Sequence, residues 1–418
     1  MKFDRLGLDD RLLETVASQG YEEATAIQAE AIPLILAGRD LLGGSQTGTG
    51  KTAAFALPIL DLLSRPEHKS RNPRCLILAP TRELADQVEK SVRTYSRGMK
   101  LYSLAIYGGT KLPPQIRQLR QGVDILVATP GRLLDHVDQK NVDLGEVEIL
   151  VLDEADRMLD MGFMPDIKRI IKLLPKQRQN LLFSATYSKE IRSLADGLLH
   201  DPASVEVTPR NTAAELVTQI VHPVEKTRKR DLLIKLIRDG DWRQVLVFAR
   251  TRHGAQRLSV QLTKKGIEAA AIHGDKSQNQ RTRALDAFKK GKVRVLVATD
   301  VAARGLDIQQ LPHVVNFDLP QVAEDYVHRI GRTGRAGEEG AAHSLVCAAE
   351  AELLAGVEQV LGRAVKQVVV EGFEGEALVF TGAPSKKQRG GGGGQRRGGP
   401  KKDTRKGNNG SRRRRRRS

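Results

Sequence analysis

Cysteine is nearly absent from this chain. Cys75 and Cys347 stand alone among 418 residues, with no CxxC spacing. That excludes a disulfide framework and a thiolate metal site, and it fits a reducing compartment. Aromatic residues are scarce too, at 4% of the chain, which argues against nucleic-acid recognition by stacked aromatic platforms. No apolar run approaches the ~18 residues of a membrane span. The opening Met1-Lys2-Phe3-Asp4-Arg5 has no apolar stretch of the signal-peptide kind. A soluble, cytoplasmic protein is expected. Acid is in short supply as well: 50 Asp and Glu face 68 Lys and Arg, for a formal net charge of +18. The excess is uneven. Pro384–Ser418 holds 15 Lys and Arg against Asp403 alone, so +14 lies there and +4 on all the rest. Such a segment calls for a polyanionic partner. After Ala383 no aliphatic, aromatic or cysteine residue occurs, and Gly390–Gly394 and Arg412–Arg417 are low-complexity runs. A chain of this kind cannot bury enough surface to offset its ordering entropy, so a disordered basic tail over 371–418 is expected.

The remainder exceeds one comfortable hydrophobic core, which predicts two domains. Short Val/Ile/Leu runs at Cys75–Ala79, Asp124–Ala128, Ile149–Asp153 and Asn180–Ser184 alternate with helix-like segments. Runs at Val245–Ala249, Val293–Ala298, His313–Phe317 and Ala342–Val346 do the same in the second half. This pattern reads as an α/β fold with parallel β-sheets covered by helices. The expected division is an N-terminal segment 1–30, a first domain 31–205, a linker 206–223 marked by Pro209, Asn211-Thr212 and Pro223, and a second domain 224–370. Trp242 reads as a packing residue, lone His273 as structural, and the acidic stretch Glu350–Glu358 as a solvated helix face.

Two phosphate-handling constellations lie far apart in this frame. Ser45-Gln46-Thr47-Gly48-Thr49-Gly50-Lys51-Thr52 is a Gly-rich loop ending in Lys-Thr. Backbone N–H groups and a helix N-terminus there can cradle nucleotide phosphates, Lys51 can reach the β- and γ-phosphates, and the Thr52 hydroxyl can ligate Mg²⁺. Asp153-Glu154-Ala155-Asp156 follows an apolar run. Asp153 can hold Mg²⁺ through water, and Glu154 can orient or deprotonate an attacking water. In the second half, His328-Arg329-Ile330-Gly331-Arg332-Thr333-Gly334-Arg335 offers Arg332 and Arg335 three residues apart. Brought to a γ-phosphate they would act as arginine fingers, so nucleotide hydrolysis would report domain closure.

With these motifs in place the chain resembles the DEAD-box RNA helicases, superfamily 2 ATPases built from two tandem RecA-like domains, from about Phe3 to about Val346. Within that family it most resembles the bacterial RhlE-like subgroup, on the order Phe3, Gly20-Tyr21, His273-Gly274-Asp275-Lys276 and a basic tail. The resemblance implies ATP and Mg²⁺ as ligands and RNA as partner. It implies adenine reading by Gln28 with Tyr21 stacking near the ring, and a ribose contact from Asp307. It assigns RNA-backbone contacts to Pro80, Thr81, Arg82, Gly109, Thr129, Pro130, Gly131 and Arg132 in the first domain, and to Gln278, Arg281 and Thr299 in the second. Ser184 and Thr186 would couple hydrolysis to strand separation through Asp156, and His328 would link the ATP and RNA sites. The leading expectation is local, non-processive opening of RNA duplexes or RNA–protein complexes. An annealing protein acting through its tail, and a DNA helicase with the same engine, stay open on sequence alone.

Overall fold

In a computed structural model of the protein, the short apolar runs become parallel strands buried on both faces. The description covers residues 1–44, 49–65, 70–206, 217–303, 308, 311–334 and 340–374. The first sheet is made of β1 (Leu41–Gly44), β2 (Cys75–Leu78), β3 (Ser103–Ile106), β4 (Ile125–Ala128), β5 (Ile149–Leu152), β6 (Gln179–Ser184) and β7 (Ala203–Glu206), in the order β3-β4-β2-β5-β6-β1-β7. The second is made of β8 (Val217–Pro223), β9 (Val245–Phe248), β10 (Ala269–Ile272), β11 (Val295–Ala298), β12 (His313–Asn316), β13 (Gly340–Val346) and β14 (Lys366–Gln367), in the order β10-β11-β9-β12-β13-β8-β14. Shifted by seven, the two orders coincide. The chain is therefore two windings of one topology, as the alternating pattern predicts. Along β5, Ile149 and Val151 enter one apolar cluster while Leu150 and Leu152 enter another across the sheet. That period-2 split explains why central strands read as unbroken hydrophobic runs.

Two expectations need correction. The linker reading over 206–223 includes Val217–Pro223, yet this segment is β8, in parallel register with β13 along its whole length. Thr218, Gln219, His222 and Pro223 interrupt its apolar run, which hid the strand. The acidic stretch is not simply a solvated face. Glu350 is buried and forms an ion pair with the equally buried Lys229, while Leu354 and Val357 of the following helix Ala351–Leu361 turn into the core.

Trp242 does pack, and its partners are histidines. Its ring lies 4.3 Å from that of His313 and 4.5 Å from that of His343, centroid to centroid. His222 Nδ1 donates to the Val368 carbonyl at 3.0 Å; in the neutral ring its Nε2 is then an acceptor, which His343 Nδ1 meets as donor across 3.1 Å. Burial lowers the pKa of His222 and His313, and burial with the two neighbouring imidazoles lowers that of His343 to about 3. The unfolded chain takes up these protons near pH 6.5 and the folded one does not. Stability is therefore complete above that pH and is lost as pH falls from about 6.5 toward about 3. The expected slope is ~1.4 kcal/mol per pH unit for each histidine still neutral in the fold. Trp242 is the only tryptophan, so urea midpoints followed by its fluorescence from pH 7 to 4 read this directly. His343→Gln should flatten the slope, and equal slopes in both proteins would refute the assignment.

Candidate functional site

Functional side chains follow the carboxyl ends of the strands, where a parallel sheet opens toward ligands. β5, β6 and β1 are neighbours in the sheet, with Leu152 opposite Leu182 and Gly44 opposite Ser184. The Asp153-Glu154 turn, the Ser184-Ala185-Thr186 segment and the entrance to the phosphate loop thus emerge side by side. The helix Lys51–Ser64 starts at once after Gly50, whose φ of 92° lies in the left-handed region that favours glycine. A side chain at Gly50 would also overlap the Gln28 amide. Gln28 is buried; its Oε1 accepts from Thr25 N–H at 2.9 Å and its Nε2 donates to the Gly50 carbonyl at 3.1 Å. The residue expected to read adenine therefore also braces the end of the phosphate loop. Each amide atom keeps a further donor or acceptor for a base edge. Tyr21 is 43% exposed and lines a groove with Tyr95 and the helix Arg82–Tyr95.

Lys51, Asp153, Glu154 and Asp156 are all buried. Burial, opposed by Lys51 and reinforced by Glu154, raises the Asp153 pKa to about 6. Asp153 Oδ1 is enclosed with no hydrogen-bond partner among the described residues. A buried carboxylate oxygen without a donor, near a Lys-Thr pair, fits a hard divalent cation, so the donor set suits Mg²⁺. Glu154 adopts φ 53°, an uncommon conformation for a non-glycine residue and one that concentrates at functional sites. No sequence signal announces it. Asp156 Oδ2 accepts from Ala185 N–H at 3.1 Å, Thr186 N–H at 3.0 Å and Thr186 Oγ1 at 3.2 Å. Ser184 Oγ donates to the Thr186 carbonyl at 2.7 Å. These bonds join the Ser184-Ala185-Thr186 segment directly to Asp156.

The RNA-assigned loops of the first half form a second constellation. Thr81 caps the helix Arg82–Tyr95, its hydroxyl accepting from Leu84 N–H at 3.2 Å. The Arg82 guanidinium lies against Gly109, whose φ is 78° and whose missing Cβ makes that approach possible. Arg132 donates to the Thr110 carbonyl at 3.3 Å and to Gln115 Oε1 at 3.2 Å. Thr129 is the N-cap residue of the helix Pro130–Asp138, and the space around Gly131 is open. Arg82 at Gly109 and Arg132 at Thr110 thus tie these loops together, while Thr129 and Pro130 are buried at a helix start, the kind of site that presents N–H donors to anions. Pro80, at the end of β2, is buried as well.

In the second half, Arg329 rather than His328 or Arg332 carries the structural load. It makes a bidentate pair with Asp300 at 2.6 and 2.7 Å and donates to Asn316 and to the Asp318 carbonyl. Arg332 and His328 line a narrow cleft with Arg157 and Asp325. Arg157 Nη1 meets Asp325 Oδ1 at 2.9 Å, joining the helix after Asp153–Asp156 to the helix Ala323–Ile330 that precedes Arg332. Gln278 and Arg281, assigned to RNA, instead reach Glu83 in the first half, at 2.9 and 3.0 Å. Thr299 is buried at the end of β11. Sequence reasoning missed Glu83, Arg157, Asp325 and Arg329, because charged residues in amphipathic helices carry no mark of their partner. Ser45, Gln46, Thr47, Gly48, Asp307 and Arg335 lie outside the described residues.

Known proteins share this arrangement. Residues 25–194 match the family model of the DEAD/DEAH box helicases, and residues 228–337 match that of the helicase conserved C-terminal domain. The chain is 45% identical over 384 residues to the ATP-dependent RNA helicase CshA of Listeria monocytogenes, covering 91% of this chain and 73% of that one. It is 42% identical over 369 residues to the ATP-dependent RNA helicase RhlB of Pseudomonas syringae pv. tomato, covering 87% and 93%. Among solved structures it is similar to S. cerevisiae Dbp5 bound to RNA and ADP BeF3, with TM-score 0.78 at 33% identity over 88% of this chain and 95% of that one. It is also similar to a DEAD box protein from the hyperthermophile Methanococcus jannaschii, with TM-score 0.52 at 37% identity over 88% and 99%.

Proposed function

Because this chain belongs to the DEAD-box family of RNA helicases, we propose that its two RecA-like lobes close on ATP and single-stranded RNA together. Each ligand raises affinity for the other, since both favour the same closed state. Lys51 holds the triphosphate, Glu154 orients the attacking water, and Arg332 with Arg335 neutralises charge that develops on the γ-phosphate. Thr52 and Asp153 would hold Mg²⁺, which when bound polarises the phosphate oxygens. The Arg82, Gly109 and Arg132 surface takes the RNA backbone without reading bases, and 2′-OH contacts select RNA over DNA. A strand bent to fit cannot remain in a continuous A-form duplex, so its partner is released and hydrolysis resets the clamp. The observation that carries this reading is the unbroken contact path from Ser184-Ala185-Thr186 through Asp156 and Arg157 to Asp325, on the helix that leads to Arg332.

The basic segment after Ala383 supplies counterion-releasing affinity for any RNA. No helix among the described residues is long and apolar enough to cross a membrane, and both cysteines are free and buried, which supports a cytoplasmic setting. Phe3, Gly20-Tyr21, His273-Gly274-Asp275-Lys276 and the basic tail support placement near the RhlE-like branch. The decisive experiment is ATP hydrolysis with no nucleic acid, with single-stranded RNA and with the matching DNA. Strong stimulation by RNA alone is expected. Equal stimulation by DNA would make the chain a DNA-directed motor. Strand rearrangement that persists in Lys51→Ala without ATP would make it an annealing protein.

A further inference from the structure

Among the described residues, two largely enclosed ion pairs cross from the first lobe to the second, and their polarities are opposite. In one, the first lobe supplies the cation: Arg157 Nη1 to Asp325 Oδ1 at 2.9 Å, with side chains 9% and 15% exposed. In the other it supplies the anion: Glu83 Oε2 to Arg281 Nη2 at 3.0 Å, with side chains 8% and 9% exposed. Gln278 Nε2 adds a bond to the second Glu83 oxygen at 2.9 Å. The cleft around Arg157, Asp325, His328 and Arg332 has about 20 Å³ of free space, room for one water. Charges so enclosed interact strongly with each other and poorly with solvent, so losing one partner is costly for the other.

Their placement is specific. Arg157 directly follows Asp156, whose carboxylate binds Ala185 and Thr186, and Asp325 is one helical turn before His328, on the helix that ends two residues before Arg332. Glu83 directly follows Arg82 of the RNA surface. Arg281 donates its other bond to the Ala302 carbonyl at 3.3 Å, and Ala302 N–H in turn bonds the Thr299 carbonyl at 3.0 Å. One pair therefore registers the nucleotide side of the seam and the other registers the RNA side.

Resting on the reading of the chain as an RNA-dependent ATPase, we propose that Arg157–Asp325 and Glu83–Arg281 are a reciprocal latch. It forms only when the lobes meet, and through it RNA binding sets the position of Arg332. These are positioning residues: none needs to touch ATP or RNA. The proposal reassigns Arg281 and Gln278. Were the Arg281 guanidinium a phosphate ligand, the Glu83 carboxylate would oppose RNA binding, and its neutralisation would tighten it. The latch requires the reverse.

The test uses the full chain with Glu83→Gln, Asp325→Asn, Arg157→Gln, the pair Arg157→Gln/Asp325→Asn and the cross-pair Glu83→Gln/Asp325→Asn. Labels on the two lobes report closure by energy transfer. Each single variant is expected to raise the RNA KM for hydrolysis about tenfold or more, given the cost of unpairing a buried charge. Closure with ATP and RNA should fall in parallel, while ATP affinity without RNA stays at the wild-type value. The Arg157/Asp325 double variant should be no worse than the worse single, whereas the cross-pair effects should multiply. Arg157→Lys, which keeps the charge, should retain part of the coupling and guards against a folding artefact. Tighter RNA binding by Glu83→Gln, or multiplying effects within the Arg157/Asp325 pair, would overturn the latch. Absence of RNA stimulation in the wild type would instead overturn the function on which it rests.

Discussion

Glu154→Gln is expected to lower RNA-stimulated ATP turnover about 10³-fold, within the range of a lost general base, while ATP and RNA remain bound. The reasoning starts from burial. Glu154 is 8% exposed and sits at φ 53°, a backbone geometry held by the turn between β5 and the helix Ala155–Asp160. Glutamine matches glutamate in shape, so the turn and its neighbours should persist. What disappears is the capacity to accept a proton and one negative charge beside Asp153. That charge raises the Asp153 pKa, so its removal makes Asp153 a more fully ionised carboxylate. Nucleotide affinity should therefore be kept or slightly increased. ATP binding measured beside single-turnover hydrolysis separates the two effects, and an RNA complex longer-lived than wild type should accompany them. Turnover within tenfold of wild type would remove Glu154 from water activation. Lys51→Ala differs in kind, because it loses phosphate contact and should abolish binding and turnover together.

The contrast between what sequence shows and hides follows the range of the interactions. β2, β4, β5, β9 and β11 are legible because both faces are buried, which leaves an unbroken apolar run. β8 is not, since Gln219 and His222 are buried polar residues whose partners lie far along the chain. β3 (SLAI) and β10 (AAAI) were missed because serine and alanine carry little strand signal. The phosphate loop and the Asp153–Asp156 turn are legible because their chemistry is built by adjacent residues. The seam is hidden for the opposite reason. Arg157 meets Asp325 across 168 positions and Gln278 meets Glu83 across 195. Each of the four resembles an ordinary polar residue on a helix. Their contacts across the seam distinguish them, and those exist only once both sheets are assembled.

Arg332→Ala is the second large effect, with an expected loss of about 10³-fold or more in kcat, the range for arginine fingers, and little change in ATP affinity without RNA. Its segment is held by groups other than its side chain as well. The Arg332 backbone carbonyl accepts from Leu311 N–H at 3.0 Å, and the segment is fixed by Arg329, bonded to Asp300, Asn316 and Asp318. The two arginines should therefore separate cleanly. Arg329→Ala removes an anchor of the second lobe and should lower its urea midpoint, seen through Trp242, with turnover falling as a consequence of unfolding. Arg332→Ala should leave that midpoint in place and remove catalysis alone. Arg332→Lys should restore little, since a single ammonium lacks the planar fork that spans two phosphate oxygens. Because the proposed role of Arg332 is at the γ-phosphate, the variant should still close on ATP and RNA and stall there. A variant that instead turns over ATP at the wild-type rate would mean that the helix Ala323–Ile330 delivers some other charge to the phosphate, and the two-lobe mechanism would lose its catalytic link.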